Sequence, residues 1–556
     1  MTIDCEALAE NPSVASPYDL LFQALVLIPI SHYFFLALFT SLAFLYSFLE
    51  IHFLHHLRTL FRGDPVTLTY NSSSNLCQSL VANCTILRGR YSATPWLSSP
   101  HLQTAFLSLF GRAPPVSYRR ELFLALDGGT IVLDWLTYSD GQYFIFLLLV
   151  LYGLIFNVIC IKVAEGSCLI DNSAAVKHDK TPIVIVIPGL TSDSSSAYVK
   201  HLAFNMAKNG WNVVVSNHRG LGGVSLTSDC FYNAGWTEDL RKIIDHIHCE
   251  YPEAPLFAVG TSIGANILVK YLGEDKTNTH LVGAAAICSP WDLLMCDRFI
   301  NRRPAQKIYD RVLTLGLQGY AQLHKSILSR LADWEHIEKS SSVREFDNHA
   351  TRVLGKFETV DTFYRRSSSI NHVEHVSVPL LCISAFDDPV CTSEAIPWDE
   401  CRVNENIILA TTQHGGHLAF YEGVTASSLW WIRAVLEFFG VLSTNPFIKG
   451  RRKGPVQCSI DEGADVNVMG DGPVTATATA TADETRDTLS EASSSPNENE
   501  QPSNVAVQGR IDKLSRRSGK SIWLLAYIAI ITTWPFLVSL LSLLRRRFKT
   551  FTLFRK

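Results

Sequence analysis

Leu256-Phe257-Ala258-Val259-Gly260-Thr261-Ser262-Ile263-Gly264-Ala265-Asn266-Ile267-Leu268 reads as a short apolar strand, a serine between glycines, and the opening of a helix. The glycines permit a turn too tight for larger residues, which leaves the Ser262 hydroxyl standing clear of the strand end. The helix behind it offers unpaired N–H groups and a partial positive charge to an anion. The Gly-x-Ser-x-Gly pattern alone is weak in a chain with 32 glycines; its place between strand and helix is what makes it informative. Ser262 is therefore expected to be a nucleophile, with the Ile263 amide as one donor to a developing oxyanion.

On either side the chain alternates short, solidly apolar runs with helical stretches. Strands are expected at 183–187, 211–215, 256–259, 281–287, 378–383 and 407–410, and helices at 197–209, 238–250, 265–272 and 430–439. Uniformly apolar strands separated by helices predict a mostly parallel sheet covered on both faces. Before them, 121–126 and 130–136 flank Asp127-Gly128-Gly129, a hairpin signal. Residues 290–377 exceed what one crossover helix needs. Their amphipathic pieces at 308–322 and 326–337 predict a helical cap able to supply an acyl pocket.

A serine hydroxyl needs a base, and the base needs a carboxylate to orient it. Directly past the strand at 378–383 comes Phe386-Asp387-Asp388-Pro389, and past that at 407–410 comes His414-Gly415-Gly416-His417. Both sit at strand C-terminal ends, where an open parallel sheet carries its site. His417, between two glycines and an apolar run, is the better base, with His414 as the alternative. Asp387 and Asp388 both remain open as the acid. The loop Pro188-Gly189-Leu190-Thr191 follows another strand, and its Leu190 amide is the expected second oxyanion donor.

With Ser99-Pro100-His101-Leu102-Gln103-Thr104 and Asn217-His218-Arg219-Gly220, these motifs in order resemble one α/β-hydrolase family. It contains the bacterial YheT-type esterases, the plant embryogenesis-associated hydrolases and the animal abhydrolase-domain phospholipase-like membrane proteins. The resemblance covers roughly residues 95–440. It implies the α/β-hydrolase fold and hydrolysis of carboxylic esters, often of lipids or medium-chain acyl esters, by a Ser-Asp-His triad. In the family pattern the acid is the second aspartate of the pair, which maps to Asp388.

The rest of the chain bears on location. Of 556 residues 47% are hydrophobic and 18% charged, which suggests a globular domain accompanied by segments meant for lipid. Net charge is −4, so no nucleic-acid partner is indicated. The 13 cysteines include no Cys-x-x-Cys, which argues against a zinc site and for mostly reduced thiols; no metal or other cofactor is expected. An apolar run at 20–49 predicts an N-terminal membrane anchor (1–62). The first basic residues, Arg58 and Arg62, follow that run, which puts the domain after it (63–447) on the cytosolic side. A second run, 143–161, interrupts that domain. It reads as a loop dipping into one leaflet, an extra buried helix, or, the reading favoured here, an insertion foreign to the natural product. Residues 448–520, with a Thr-Ala repeat from Thr475, read as a disordered tether, and 521–556 as a hydrophobic membrane segment with a basic tail.

The expected function is thus a membrane-associated serine ester hydrolase with a lipid or acyl-ester substrate. Its rivals are an acyltransferase on the same residues and a non-catalytic membrane scaffold. Oligomeric state is not legible.

Overall fold

The computed structural model describes residues 29–52, 63–137 and 180–445. Nine strands form one sheet: β1 (Thr67–Tyr70), β2 (Arg119–Leu124), β3 (Thr130–Leu136), β4 (Ile183–Ile187), β5 (Asn212–Ser216), β6 (Leu256–Thr261), β7 (Leu281–Ile287), β8 (Leu380–Ala385) and β9 (Ile407–Thr412). Their spatial order is β1-β9-β8-β7-β6-β4-β5-β3-β2. The pairs from β9 through β5 are all parallel. The expected hairpin, β2 and β3, lies antiparallel at one edge, and β1 closes the other edge antiparallel to β9.

Strand alternation divides the core into two layers. Val184, Val186, Val213, Val215, Phe257 and Val259 face the helices Ala197–Lys208 and Trp430–Thr444. Ile183, Ile185, Val214, Leu256 and Ala258 face Glu238–Glu250 and Ile263–Asp275. The helix Glu238–Glu250 buries Leu240, Ile243, Ile244 and Ile247, a spacing that puts one stripe toward the sheet. Fully burying each such side chain stabilises by about 1.5–3 kcal/mol, an upper range for chains compact before folding.

From β4 the chain moves to β5 on one side and returns to β6 on the other, so strand order reverses at β4. Loops leaving the C-terminal ends of β4 and β6 part there and open the crevice in which such sheets bind ligands.

Between β7 and β8 lies the cap, with its own core around Leu317, Tyr320, Leu328, Ile337 and Phe346. The helix expected at 308–322 extends over Pro304–Leu323. The stretch expected at 326–337 divides into Lys325–Leu331 and Trp334–Lys339, because the Asp333 side chain accepts the His336 N–H and caps a new helix there.

The expectation of membrane-spanning helices is corrected. Among the described residues no helix is long and apolar enough to cross a membrane. In the helix Ile30–His52, the polar residues Ser31, His32, Thr40 and Ser41 interrupt the apolar run. The runs at 143–161 and 522–544 and the tether at 448–520 lie outside the described residues.

Candidate active site

Ser262 ends β6 and begins the helix Ile263–Asp275 with φ 53° and ψ −122°, a conformation that non-glycine residues rarely adopt. Such strain costs about 1–3 kcal/mol and persists only where the surroundings enforce it. Here they do: the Ser262 N–H donates to Ile287 O at 2.8 Å, tying the turn to the end of β7. Gly264 is needed because a Cβ there would lie 2.3 Å from Ile187 O and 2.4 Å from Pro188 O.

The loop after β9 carries His417 beside this serine. Its Nε2 is 2.9 Å from Ser262 Oγ, and its Nδ1 is 2.9 Å from Asp388 Oδ2. Asp388 is 2% exposed, so its charge depends on partners other than water. The N–H groups of Val390 and Cys391 donate to its Oδ1 at 2.8 and 2.9 Å. Gly416 approaches the helix Pro100–Leu109, where a Cβ would meet Thr104 Oγ1 at 2.7 Å and Pro100 O at 2.8 Å. Through that approach the His417 N–H donates to Thr104 Oγ1 at 2.9 Å.

The alternatives left open by the sequence form a separate pair. Asp387 Oδ2 lies 3.1 Å from His414 Nδ1, while its Oδ1 accepts the Gly416 N–H at 3.0 Å. The hydrogen bond to Asp387 raises His414 above the usual imidazole value, with burial opposing and the charges of Asp387 and Asp64 adding. Asp387 thus braces the loop that carries His417, and its carboxylate is engaged by His414.

Gly189 lies against Ser262, since a Cβ at 189 would sit 3.3 Å from the Ser262 Cβ. Leu190 is next in the chain. Neither its N–H nor that of Ile263, in the first helical turn, has a hydrogen-bond partner among the described residues. Two unpaired amides therefore border the serine, one from each side of the crevice.

The cap closes over this rim. His101 Nδ1 is 3.0 Å from Tyr309 Oη, and the two rings stack with centroids 5.7 Å apart. Burial, then the Asp388 charge, pushes the Tyr309 phenol well above its usual range.

One group of possible metal ligands occurs among the described residues: atoms of Cys288, Asp388 and His417 lie within 4.8 Å of one another. They suit a metal poorly. Both imidazole nitrogens are engaged, and burial, with Asp388 beside it, holds the Cys288 thiol well above its usual range and so protonated.

Sequence reasoning missed the brace from Thr104 and three side chains that hold the Leu190 turn: His218, which meets the Pro188 carbonyl, and Tyr198 and Tyr232, which accept the Gly189 and Thr191 N–H groups. Thr104 and His218 sat in motifs quoted above; the two tyrosines gave no local signal.

Comparison with known proteins adds kinship. The family model described as "Serine aminopeptidase, S33" matches residues 178–424, which include Ser262, Asp388 and His417. The embryogenesis-associated protein EMB8 of Picea glauca is 33% identical over 383 residues, covering 68% of this chain and 78% of the relative. Phospholipase ABHD3 of Homo sapiens is 30% identical over 342 residues, covering 62% and 76%. A medium-chain fatty acid ethyl ester synthase/esterase of Saccharomyces cerevisiae is 29% identical over 404 residues, covering 63% and 85%.

Proposed function

Because this chain belongs to the α/β-hydrolase family of serine hydrolases, we propose that it is a carboxylic-ester hydrolase acting on lipid or medium-chain acyl esters through Ser262, His417 and Asp388. The observation that carries this reading is the continuous pair of 2.9 Å contacts from Ser262 Oγ to His417 and from His417 to Asp388.

In the proposed reaction Ser262 Oγ bonds to the ester carbonyl carbon as its proton passes to His417 Nε2. The carbonyl oxygen, now an anion, accepts from the Leu190 and Ile263 amides. Asp388, held by the Val390 and Cys391 amides, stabilises the imidazolium and keeps Nδ1 protonated. Collapse breaks the bond to the alcohol, which leaves with the proton from Nε2. Water then repeats the sequence on the acyl-enzyme and releases the acid.

Three observations support a lipid or acyl-ester substrate worked at a membrane surface. One relative is named a phospholipase, and another acts by its name on medium-chain fatty acid ethyl esters. The helix Ile30–His52 exposes Phe34, Phe35, Leu36, Leu38, Leu42 and Phe44, an apolar surface suited to lipid. That second relative's name pairs synthesis with hydrolysis, which favours acyl transfer to an alcohol as the second reading.

The test is acyl release from an ester series of increasing chain length, with and without an acceptor alcohol. The full chain is expected to release free acid and Ser262→Ala none. Ester made in preference to acid would favour the second reading. Release undiminished in Ser262→Ala would refute both.

A further inference from the structure

Three side chains with no part in the proton transfers end on one short turn. The Pro188 carbonyl accepts from His218 Nε2 at 2.9 Å, the Gly189 N–H donates to Tyr198 Oη at 2.8 Å, and the Thr191 N–H donates to Tyr232 Oη at 3.2 Å. The N–H groups on either side of Leu190 are thereby fixed, while its own has no partner among the described residues. His218 and Tyr232 stack on each other, ring centroids 4.5 Å apart and planes 7° from parallel. Burial lowers the His218 pKa, which favours a neutral ring donating through Nε2.

The turn needs such restraint. Thr191 sits at φ 55°, and a β-branched residue in the left-handed region relaxes unless held.

The cap reaches the same turn by two routes. Gly316, in the helix Pro304–Leu323, lies directly on Thr191, where a Cβ at 316 would be 3.0 Å from Thr191 Oγ1. Further along, Tyr320 Oη donates to Arg219 O at 2.8 Å, and His324 Nε2 lies 2.8 Å from Gly220 O. Those carbonyls directly follow His218. The Tyr320 ring also meets the Tyr232 ring edge-on, with centroids 5.5 Å apart. Tyr320, His324, the 218–220 loop and the His218–Tyr232 stack thus make one chain of contacts from cap to turn.

We propose that His218 and Tyr232 are positioning residues for the oxyanion turn, and that the cap helix holds them, so that the Leu190 amide takes its working position only when the cap is seated. This rests on the reading of Leu190 as an oxyanion donor given above. With the cap lifted, Gly316 leaves Thr191 and the two carbonyls lose their partners. The stack then has no backing, and the strained turn relaxes. A substrate that seats the cap therefore completes the oxyanion site as it binds, and transition-state stabilisation is coupled to cap closure.

The test compares the full-length chain with Tyr232→Phe, His218→Gln and Tyr320→Phe. Each is measured for kcat and KM on a p-nitrophenyl ester, for inhibition by a trifluoromethyl ketone, which forms an oxyanion on the serine, and for binding of a non-hydrolysable ether analogue. Displacing one oxyanion donor is expected to lower kcat about tenfold or more and to weaken the ketone by the same factor. In Tyr232→Phe and His218→Gln, KM and ether binding are expected to stay within about twofold, since the cap's own contacts and the ground-state contacts are untouched, whereas Tyr320→Phe also weakens the ether, by less than the ketone, because the substrate must then seat a cap with one contact fewer. Tyr232→Phe and Tyr320→Phe combined are expected to lose less than the product of their separate effects, because they break one chain of contacts. The inference is overturned if the variants match the wild type, or if ketone and ether weaken equally in Tyr232→Phe and His218→Gln, as general loosening would cause. His218→Gln decides the matter should Tyr232→Phe fail to fold. A wild type that neither hydrolyses ester nor binds ketone would overturn the hydrolase reading itself; an active, ketone-sensitive wild type with unaffected variants overturns this inference alone.

Discussion

Replacing Asp388 with Asn is expected to abolish nearly all turnover while leaving the fold intact. Asp388 Oδ1 accepts from the Val390 and Cys391 amides, and Oδ2 faces His417 Nδ1 at 2.9 Å. Asparagine has one carbonyl oxygen, and those two amides hold it at the Oδ1 position, since the opposite orientation would set an NH2 against two N–H groups. Its NH2 must then donate to His417 Nδ1. The remaining ring proton moves to Nε2, which can no longer accept from Ser262. A base held in the wrong tautomer loses about 10⁴ in kcat, roughly 5.4 kcal/mol of transition-state stabilisation. Asp387→Asn is the control, because Asp387 bonds His414 and the Gly416 amide. A half-exposed pair of that kind is worth about 1 kcal/mol or less, so a loss below about tenfold is expected. The assay is initial-rate hydrolysis of a p-nitrophenyl ester, with melting temperatures to confirm folding. The reasoning is refuted if Asp387→Asn loses as much as Asp388→Asn, or if Asp388→Asn keeps more than about a tenth of wild-type turnover.

Three further outcomes concern the scaffold. Gly264→Ala would force a Cβ to within 2.3 Å of backbone at Ile187, and a loss of about 3 kcal/mol or more is expected in urea unfolding; a wild-type midpoint would contradict that contact. Arg219 is 3% exposed and pairs with Asp127 and with both oxygens of Asp239, so Arg219→Ala should destabilise by about 1.5–3 kcal/mol, again by urea unfolding. Asp347, buried in the cap between the Thr351 and Tyr364 hydroxyls, is raised by burial from 3.8 to about 6. Because the folded state holds that proton more tightly, stability should fall as pH rises from about 4 to about 6, by at most roughly 3 kcal/mol. Asp347→Asn should flatten that part of the melting-temperature profile, and an unchanged slope would show that Asp347 is not its source.

The central fold was legible because its strands are apolar on both faces and its helices keep a single stripe. Residues 183–187 and 281–287 became β4 and β7 with the same bounds. β1 was not legible: Thr67–Tyr70 has four residues of mixed polarity, and its partner, β9, lies more than 300 residues further along the chain. The loops bearing Ser262, Asp388 and His417 stood out because each follows an apolar strand. Which aspartate faces which histidine did not, since neighbouring side chains point in different directions and only the folded loop decides between them. The clamp on the Leu190 turn was hidden for a related reason: it consists of side-chain bonds to backbone groups up to 41 residues away. The apolar run at 20–49 misled where its length was read as a membrane span, because composition records that a surface is apolar and not what covers it.

The most direct measurement is the site of covalent modification. The full-length chain is treated with a fluorophosphonate, digested, and the adduct located by mass spectrometry. The account predicts a single adduct on Ser262, formed slowly or not at all in His417→Ala. An adduct elsewhere, or none on an enzyme that still hydrolyses esters, would contradict it.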